Sequence, residues 1–194
     1  MNNYVFDLGG VLISFGAKKY VEENIKENKE DFFKKIFQSE EWLKCDEGIY
    51  SEEDLKIIYS KKYPTQKNEI IKALDNWHYY MEVLENANVI KKLKEKGKSL
   101  YILSNLNKNH ISFIKKLDFY KYFDGEIFSC NENCVKPQKK IYEILIHRYN
   151  LNVSDTIFFD DLKENVYEAK KLGIKGVVAN KENMKKLLEE FNLN

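Results

Sequence analysis

The chain has 194 residues, 43% of them hydrophobic and 32% charged, with a formal net charge of +1; this fits a soluble globular protein of one domain, or a core with a modest insertion. The near-neutral balance excludes a bulk electrostatic case for nucleic acid or an anionic membrane as partner. Cationic charge is carried almost entirely by Lys, Arg148 being the only Arg, so an anion site must use Lys, backbone N–H groups or a metal rather than bidentate Arg clamps.

The first stretch, Tyr4 to Leu12, runs apolar up to one carboxylate, Asp7, and then through Gly9 and Gly10 into a second apolar run. It reads as a strand and a tight turn. Asp7 is either a turn former or an acid at the carboxyl end of a central strand, where ligands bind in parallel α/β sheets. About seventy residues of helical, aromatic-rich pattern follow, with no strand between them. The spacing predicts helices over 17–28 and 31–37, and a short turn capped by Ser39 that carries Trp42 and Leu43. Ser51 and Asp54 resemble a capping box at the head of the next helix. Pro64 breaks the pattern, and a long helix is expected over 68–84. The aromatics Phe33, Trp42, Tyr50, Trp77, Tyr79 and Tyr80 offer either a small helical core or a stacking surface for a sugar or base.

After Glu85 strands and helices alternate. A helix is expected over 88–96, ended by Gly97. A strand follows over 99–103, leading into Ser104 and Asn105, then a helix over 109–117 and a weak strand over 125–128. Lys136-Pro137 precedes a helix over 138–149, with the Pro near its first turn. A buried strand over 156–159 runs into Asp160-Asp161, and a helix over 162–172 closes at Gly173. The last strand is expected over 176–179 and the last helix over 182–191. Alternation of this kind specifies a doubly wound parallel α/β sheet. The expected division is a core of 1–16 and 86–194 with a helical cap of 17–85.

Four polar clusters fall at comparable places: Asp7, Ser104 with Asn105, Asp160 with Asp161, and Lys136 before a helix. In a doubly wound sheet these line one crevice, whereas chance would scatter them between both ends of the strands. Clustered carboxylate oxygens suit a hard divalent cation such as Mg²⁺, although an Asp there also caps a helix. Ser104 and Asn105 offer a hydroxyl and an amide to an anion, or another cap. His78, His110 and His147 show no paired ligand spacing and read as ordinary surface or helix residues. The lysines of 91–98 read as a solvated helix face.

Three cysteines, Cys45, Cys130 and Cys134, an odd number without a secretory leader, argue for reduced thiols and a cytoplasmic protein. No second pair completes a zinc site with Cys130 and Cys134. No run of ~18 apolar residues is present to span a membrane, and no repeat or low-complexity linker interrupts the chain.

The stretches FDLGGVLI, LYILSN, VKP and TIFFDDLKENVYEAKKLGI resemble the four ordered motifs of the haloacid dehalogenase superfamily. They resemble most its small phosphatases with a helical cap inserted after the first motif. The resemblance spans essentially the whole chain and includes Glu47-Gly48-Ile49-Tyr50-Ser51, which looks like the cap loop lowered over the active site. It implies Asp7 as nucleophile, forming an aspartyl-phosphate that water then hydrolyses. It implies Mg²⁺ held by Asp7, the Gly9 backbone carbonyl and Asp161, with Asp160 beside them. It implies Ser104, Asn105 and Lys136 on the phosphoryl group, and Asn165 orienting Lys136 or a carboxylate.

One position departs from the family. Typical phosphatases carry a general acid/base Asp where this chain has Gly9, which leaves the proton for the leaving group to the substrate, to water or to a cap residue such as Glu47. The expected substrate is a small soluble phosphomonoester, a sugar phosphate first. The alternatives are a metal-independent haloacid dehalogenase, which attacks carbon, and a non-catalytic binding protein on the same fold.

Overall fold

Short, almost wholly apolar strands are buried on both faces only when helices cover both sides of a parallel sheet, and this one meets that condition. In the computed structural model, which describes residues 1–179 with Met184, Lys186 and Glu189, the strands are β1 (Asn3–Phe6), β2 (Ser99–Ser104), β3 (Gly125–Phe128), β4 (Thr156–Asp160) and β5 (Lys175–Val178). They form one parallel sheet in the order β3-β2-β1-β4-β5. Phe6 stands in register with Ile102 on one side and Phe159 on the other. Val5 faces a core shared with Leu103, Ile127, Phe158, Tyr142 and Leu145, while Phe6 faces one shared with Ile102, Phe159, Ile90 and Leu93.

The helices of the sheet layers are α6 (Asn88–Glu95), α7 (Ile111–Ile114), α8 (Ser129–Glu132), α9 (Lys139–Arg148) and α10 (Lys163–Lys171), and those between β1 and α6 are α1 (Gly16–Asn24), α2 (Lys29–Phe37), α3 (Glu40–Asp46), α4 (Glu52–Lys62) and α5 (Lys67–Asn76). The inserted helices α1–α5 enclose an apolar core of their own, including Tyr20, Phe32, Phe37, Trp42, Tyr59 and Trp77. Ser39 caps α3, accepting from Trp42 N at 3.0 Å. The capping box at α4 is complete: Asp54 N donates to Ser51 Oγ at 3.1 Å and Ser51 N to Asp54 Oδ2 at 2.9 Å.

Several expected boundaries move. The helix expected to reach Asn28 stops at Asn24, because Ile25 is extended and Asn28 turns left-handed (φ 51°) to open α2. The long helix expected over 68–84 ends at Asn76, gives one 3-10 turn over Trp77–Tyr80 and then runs extended. That last segment brings the chain back to the sheet layer, where Ser14 N donates to Glu82 O (2.8 Å) and Leu84 N to Leu12 O (2.9 Å). Those backbone bonds replace the helical ones. The helix expected over 109–117 shrinks to α7 after a 3-10 turn at Lys108–His110. Pro137 lies outside α9, whose N-cap is Gln138. The expected last helix, 182–191, lies outside the described residues apart from Met184, Lys186 and Glu189.

Gly16 sits where the insertion leaves and re-enters. A Cβ there would stand 2.5 Å from Trp77 O and 2.6 Å from Met81 N. Backbone atoms on both counts cannot rotate away, so Gly16→Ala is expected to lower stability by about 1–3 kcal/mol. Urea unfolding monitored by tryptophan fluorescence checks this, and an unchanged midpoint would show that the junction yields without cost.

Candidate active site

The sheet order reverses beside β1, so the crevice at the carboxyl ends of β1 and β4 is the topological switch point where α/β sheets bind ligands. Asp7 follows β1 directly, and its backbone N–H donates to Phe159 O at 2.9 Å. Asp160 ends β4. Between them lies Lys136, its side chain only 1% exposed, with Nζ 2.9 Å from Asp7 Oδ1 and 2.6 Å from Asp160 Oδ2.

Each member of this triad is held by other groups. Leu8 N donates to Asp7 Oδ1 at 2.7 Å. The Asp160 Oδ1 atom accepts from Leu162 N and from Asn165 Nδ2, both at 2.9 Å. Asn165, predicted to orient Lys136 or a carboxylate, therefore orients Asp160 from the first turn of α10. The Asn105 amide is committed to the Lys136 backbone: Nδ2 donates to Lys136 O at 3.0 Å and Oδ1 accepts from Lys136 N at 2.8 Å. Its side chain positions the lysine segment, which leaves one amide N–H for any other acceptor. Ser104, 2% exposed, hydrogen-bonds through its hydroxyl to Asp7.

The charge states follow from burial. Desolvation pushes the Asp7 carboxyl up to about 6 although Lys136 and Ser104 pull the other way. Burial alone would push Lys136 down, but the carboxylates of Asp7 and Asp160 more than reverse it, so the ammonium is retained. Burial, then the neighbouring Asp160, raises Asp161. Asp7, Asp160 and Asp161 each bring one oxygen to within 4.8 Å of the others. Gly10 makes room for this approach: at φ 70° its missing Cβ would stand 2.3 Å from Asp161 Oδ2. A converging set of hard oxygens with only one ammonium among them fits a divalent cation.

The insertion also docks on the sheet layer through several close contacts. The Ser129 hydroxyl accepts from Leu106 N and donates to the Asp46 carbonyl. Gly48, at φ 81°, packs so closely that a Cβ would meet Cys130 O at 2.4 Å. Asn109 Nδ2 donates to Glu52 at 2.6 Å. A small cavity, ≈ 60 Å³, is closed in by Leu8, Gly9, Phe15, Trp42, Asp46, Trp77 and the 104–107 loop. Glu47 does not line it; it accepts from Gln138 Nε2 at 3.3 Å. Asp46 does line it. Some surface of that residue still meets solvent, yet its carboxyl is packed closely enough for burial to push it up to about 7, against the pull of the Trp42 side chain and the Asn107 backbone. No motif marked Asp46; its only signal was adjacency to the Glu47-Gly48 turn.

His110, read from sequence as ordinary, is buried: its Nδ1 lies 2.6 Å from Asn107 Oδ1 and its Nε2 3.5 Å from Glu52 Oε1. Burial pushes it down to about 4, so it stands neutral beside Glu52 at pH 7. A larger groove of ≈ 960 Å³, lined by Lys91, Lys92, Lys116 and Lys121, shares no lining residue with the small cavity, which Gly9 and Ser104 border beside Asp7, and lies elsewhere.

A family model described as a haloacid dehalogenase-like hydrolase matches residues 1–173. The chain is similar to the sesquiterpene phosphatase astK of Aspergillus oryzae, 23% identical over 175 residues, covering 89% of this chain and 87% of that protein. It is also similar to a phosphorylated carbohydrates phosphatase of Thermotoga maritima, 27% identical over an alignment of 212 residues, covering 97% and 91%. Among solved structures, a haloacid dehalogenase family enzyme of Bacteroides thetaiotaomicron in complex with magnesium and inorganic phosphate superposes with a TM-score of 0.72 at 21% identity, covering 93% and 94%. The L-2-haloacid dehalogenase of Xanthobacter autotrophicus, with chloropropionic acid covalently bound, gives 0.67 at 14% identity, covering 98% and 83%. At these identities the structures attest the shared fold. Among the described residues, no helix is long and apolar enough to cross a membrane.

The Asp7 shift carries a stability consequence. Folded, Asp7 holds its proton to about pH 6, against an ordinary value of 3.8. Between those values the folded state binds the extra proton, so this contribution to stability falls as pH rises and is fully lost above about pH 6. Asp7→Asn is therefore expected to stabilise the protein by about 1–3 kcal/mol at pH 7.5 in EDTA, and by nothing at pH 3.5. Paired urea titrations at the two pH values measure it; an equal effect at both would rule out burial of the charge as the cause.

Proposed function

The chain belongs to the haloacid dehalogenase-like hydrolase family, and we propose that it is a Mg²⁺-dependent phosphatase of small phosphomonoesters that works through an aspartyl-phosphate on Asp7. The observation that carries this reading is the convergence of Asp7, Asp160 and Asp161 around Lys136 at the switch point. A carbon-attacking dehalogenase has no use for three converging carboxylates. The phosphatase relatives favour phosphorus as the atom attacked, and a solved relative carries magnesium and phosphate together.

In this reading an Asp7 oxygen attacks phosphorus in line, the ester oxygen departs, and water then cleaves the acyl phosphate. Lys136 neutralises charge on Asp7 and on the transferring group, and Asp160 keeps the ammonium in place. Ser104 offers its hydroxyl to a phosphoryl oxygen. Asn105 acts through the Lys136 backbone, and Asn165 through Asp160. Asp7, the Gly9 carbonyl and Asp161 would hold Mg²⁺, with Asp160 adjacent. Bound there, the ion would offset repulsion between a carboxylate and a phosphate dianion.

The helical unit of 17–85 serves as a cap over the core of 1–16 and 86–194, and the loop bearing Glu47 and Gly48 closes the crevice. A sugar phosphate is the first substrate class in view of the carbohydrate-phosphate relative. The three unpaired cysteines support a cytoplasmic setting.

Purified protein tested against sugar phosphates, short alkyl phosphates and nucleotides should release phosphate with Mg²⁺, lose that activity in EDTA, and lose it at least 10³-fold in Asp7→Asn, as expected on removal of a covalent nucleophile. Halide release from 2-haloacids without metal would instead establish the dehalogenase, and silence on both panels the binding protein.

A further inference from the structure

Gly9 removes the acid that typical phosphatases of this family place two residues after the nucleophile. The space is empty as well as the side chain: beyond the adjoining residues, no atom lies within 4 Å of where a Cβ would stand. Leaving oxygens of alkyl phosphates depart poorly as anions, so the chemistry needs a proton donor from another element. We propose that Asp46, at the end of α3, donates the proton to the leaving oxygen and then accepts one from the water that cleaves the aspartyl-phosphate. The proposal rests on the phosphatase reading and extends it to a residue outside the family motifs.

Placement carries the argument. Asp46 lines the same cavity as Leu8, Gly9, Ser104 and Asn105, and it is the only ionisable side chain among the residues lining it. It is fixed there from two directions. Its carbonyl accepts from the Ser129 hydroxyl, which is held in turn by Leu106 N. The next turn is pressed against Cys130 through Gly48. The cavity wall also carries Trp77, whose indole Nε1 is buried with no hydrogen-bond partner among the protein atoms. A buried donor without a partner costs free energy unless a ligand meets it, and an ester or hydroxyl oxygen of a substrate in this cavity would do so. Glu47, the sequence candidate, is turned to Gln138 instead.

The charge environment agrees. Burial, together with the carboxylates of Asp7 and Glu52, raises the Asp46 carboxyl, while Trp42 and Asn107 pull it down, leaving it near neutrality at about 7. A group poised there serves as acid in one step and base in the next. The balance closes. As the Asp7 O–P bond forms and the P–O ester bond breaks, the Asp46 proton passes to the leaving oxygen and leaves a carboxylate. Water then attacks phosphorus, its proton returns to Asp46, and phosphate departs as Asp7 regains its carboxylate.

The test compares p-nitrophenyl phosphate, whose leaving group departs without a proton, with an alkyl phosphate turned over by the wild type. Asp46→Asn should lower kcat/KM about 10²–10³-fold for the alkyl ester while leaving the aryl ester within about threefold. Because kcat/KM reports only steps through formation of the acyl phosphate, slow hydrolysis of that intermediate does not blur the comparison. Retained aryl turnover also shows that the variant is folded. Adding Gly9→Asp to Asp46→Asn should restore alkyl-ester turnover, because the open space beside Gly9 accepts the side chain. Equal losses on both esters, or no loss on either, overturn the role of Asp46. A wild-type protein inert on both esters overturns the phosphatase reading instead.

Discussion

The buried ammonium of Lys136 is the constraint on which the crevice depends. It stands 2.9 Å from Asp7 and 2.6 Å from Asp160, and among the described residues no other cation pairs with the two acids. A fully buried ion pair repays its desolvation only when its remaining hydrogen bonds are made. Here they are: Leu8 N and Ser104 serve Asp7, and Leu162 N and Asn165 serve Asp160. One positive charge still faces three carboxylates once Asp161 is included. Asp7 rises despite its salt bridge because burial, with Asp160 adding to it, outweighs the pull of Lys136, and the excess of carboxylate over ammonium is the electrostatic reason for proposing a divalent cation at the site.

The fold supplies the positions at little cost. Parallel strands β1 and β4 pair in register from Asn3 and Thr156 to Phe6 and Phe159, so Asp7 and Asp160 emerge side by side. Lys136 comes from the other half of the sheet and has no ladder to place it. Two hydrogen bonds from one Asn105 amide, at the end of β2, do that work. An Asn at this position is thus a splint between a strand end and a loop, a role that a reading of side chains as ligands does not record. Functional sites that concentrate like charge trade stability for reactivity, and Asp7 is the residue at which this chain does so.

Sheet architecture was legible in the sequence because parallel strands read as short apolar runs separated by helix-period segments. The acids at their ends were legible because a strand end is a definite place in a doubly wound fold. What escaped was what depends on contact between distant segments. The stretch 68–84 reads as helical from its spacing, yet its last residues, 82–84, pair with residues 12–14, a competition that local propensity does not record. His110 reads as a helix-surface residue until Trp77, Asn107 and Glu52 enclose it. Asp46 and Glu47 are adjacent acids in one turn, and the sequence favoured Glu47 only as a member of the recognised loop. Which of them enters the crevice is fixed by Ser129 and Cys130, more than eighty residues away.

The loss of an acid at Gly9 and the gain of one at Asp46 have different structural consequences. An acid two residues after the nucleophile shares its strand and turn, so the two are held in relation whether or not the insertion is docked. Asp46 belongs to α3, whose packing is with the insertion core around Trp42. Its relation to Asp7 exists only through the contacts that join the insertion to the sheet layer: Ser129 on the Asp46 carbonyl, Cys130 against Gly48, and Asn109 on Glu52. On this assignment, docking of the insertion completes the proton path. Nucleophile and proton donor then act together only while those contacts are made. Placing the donor on the insertion makes its docking a condition of turnover.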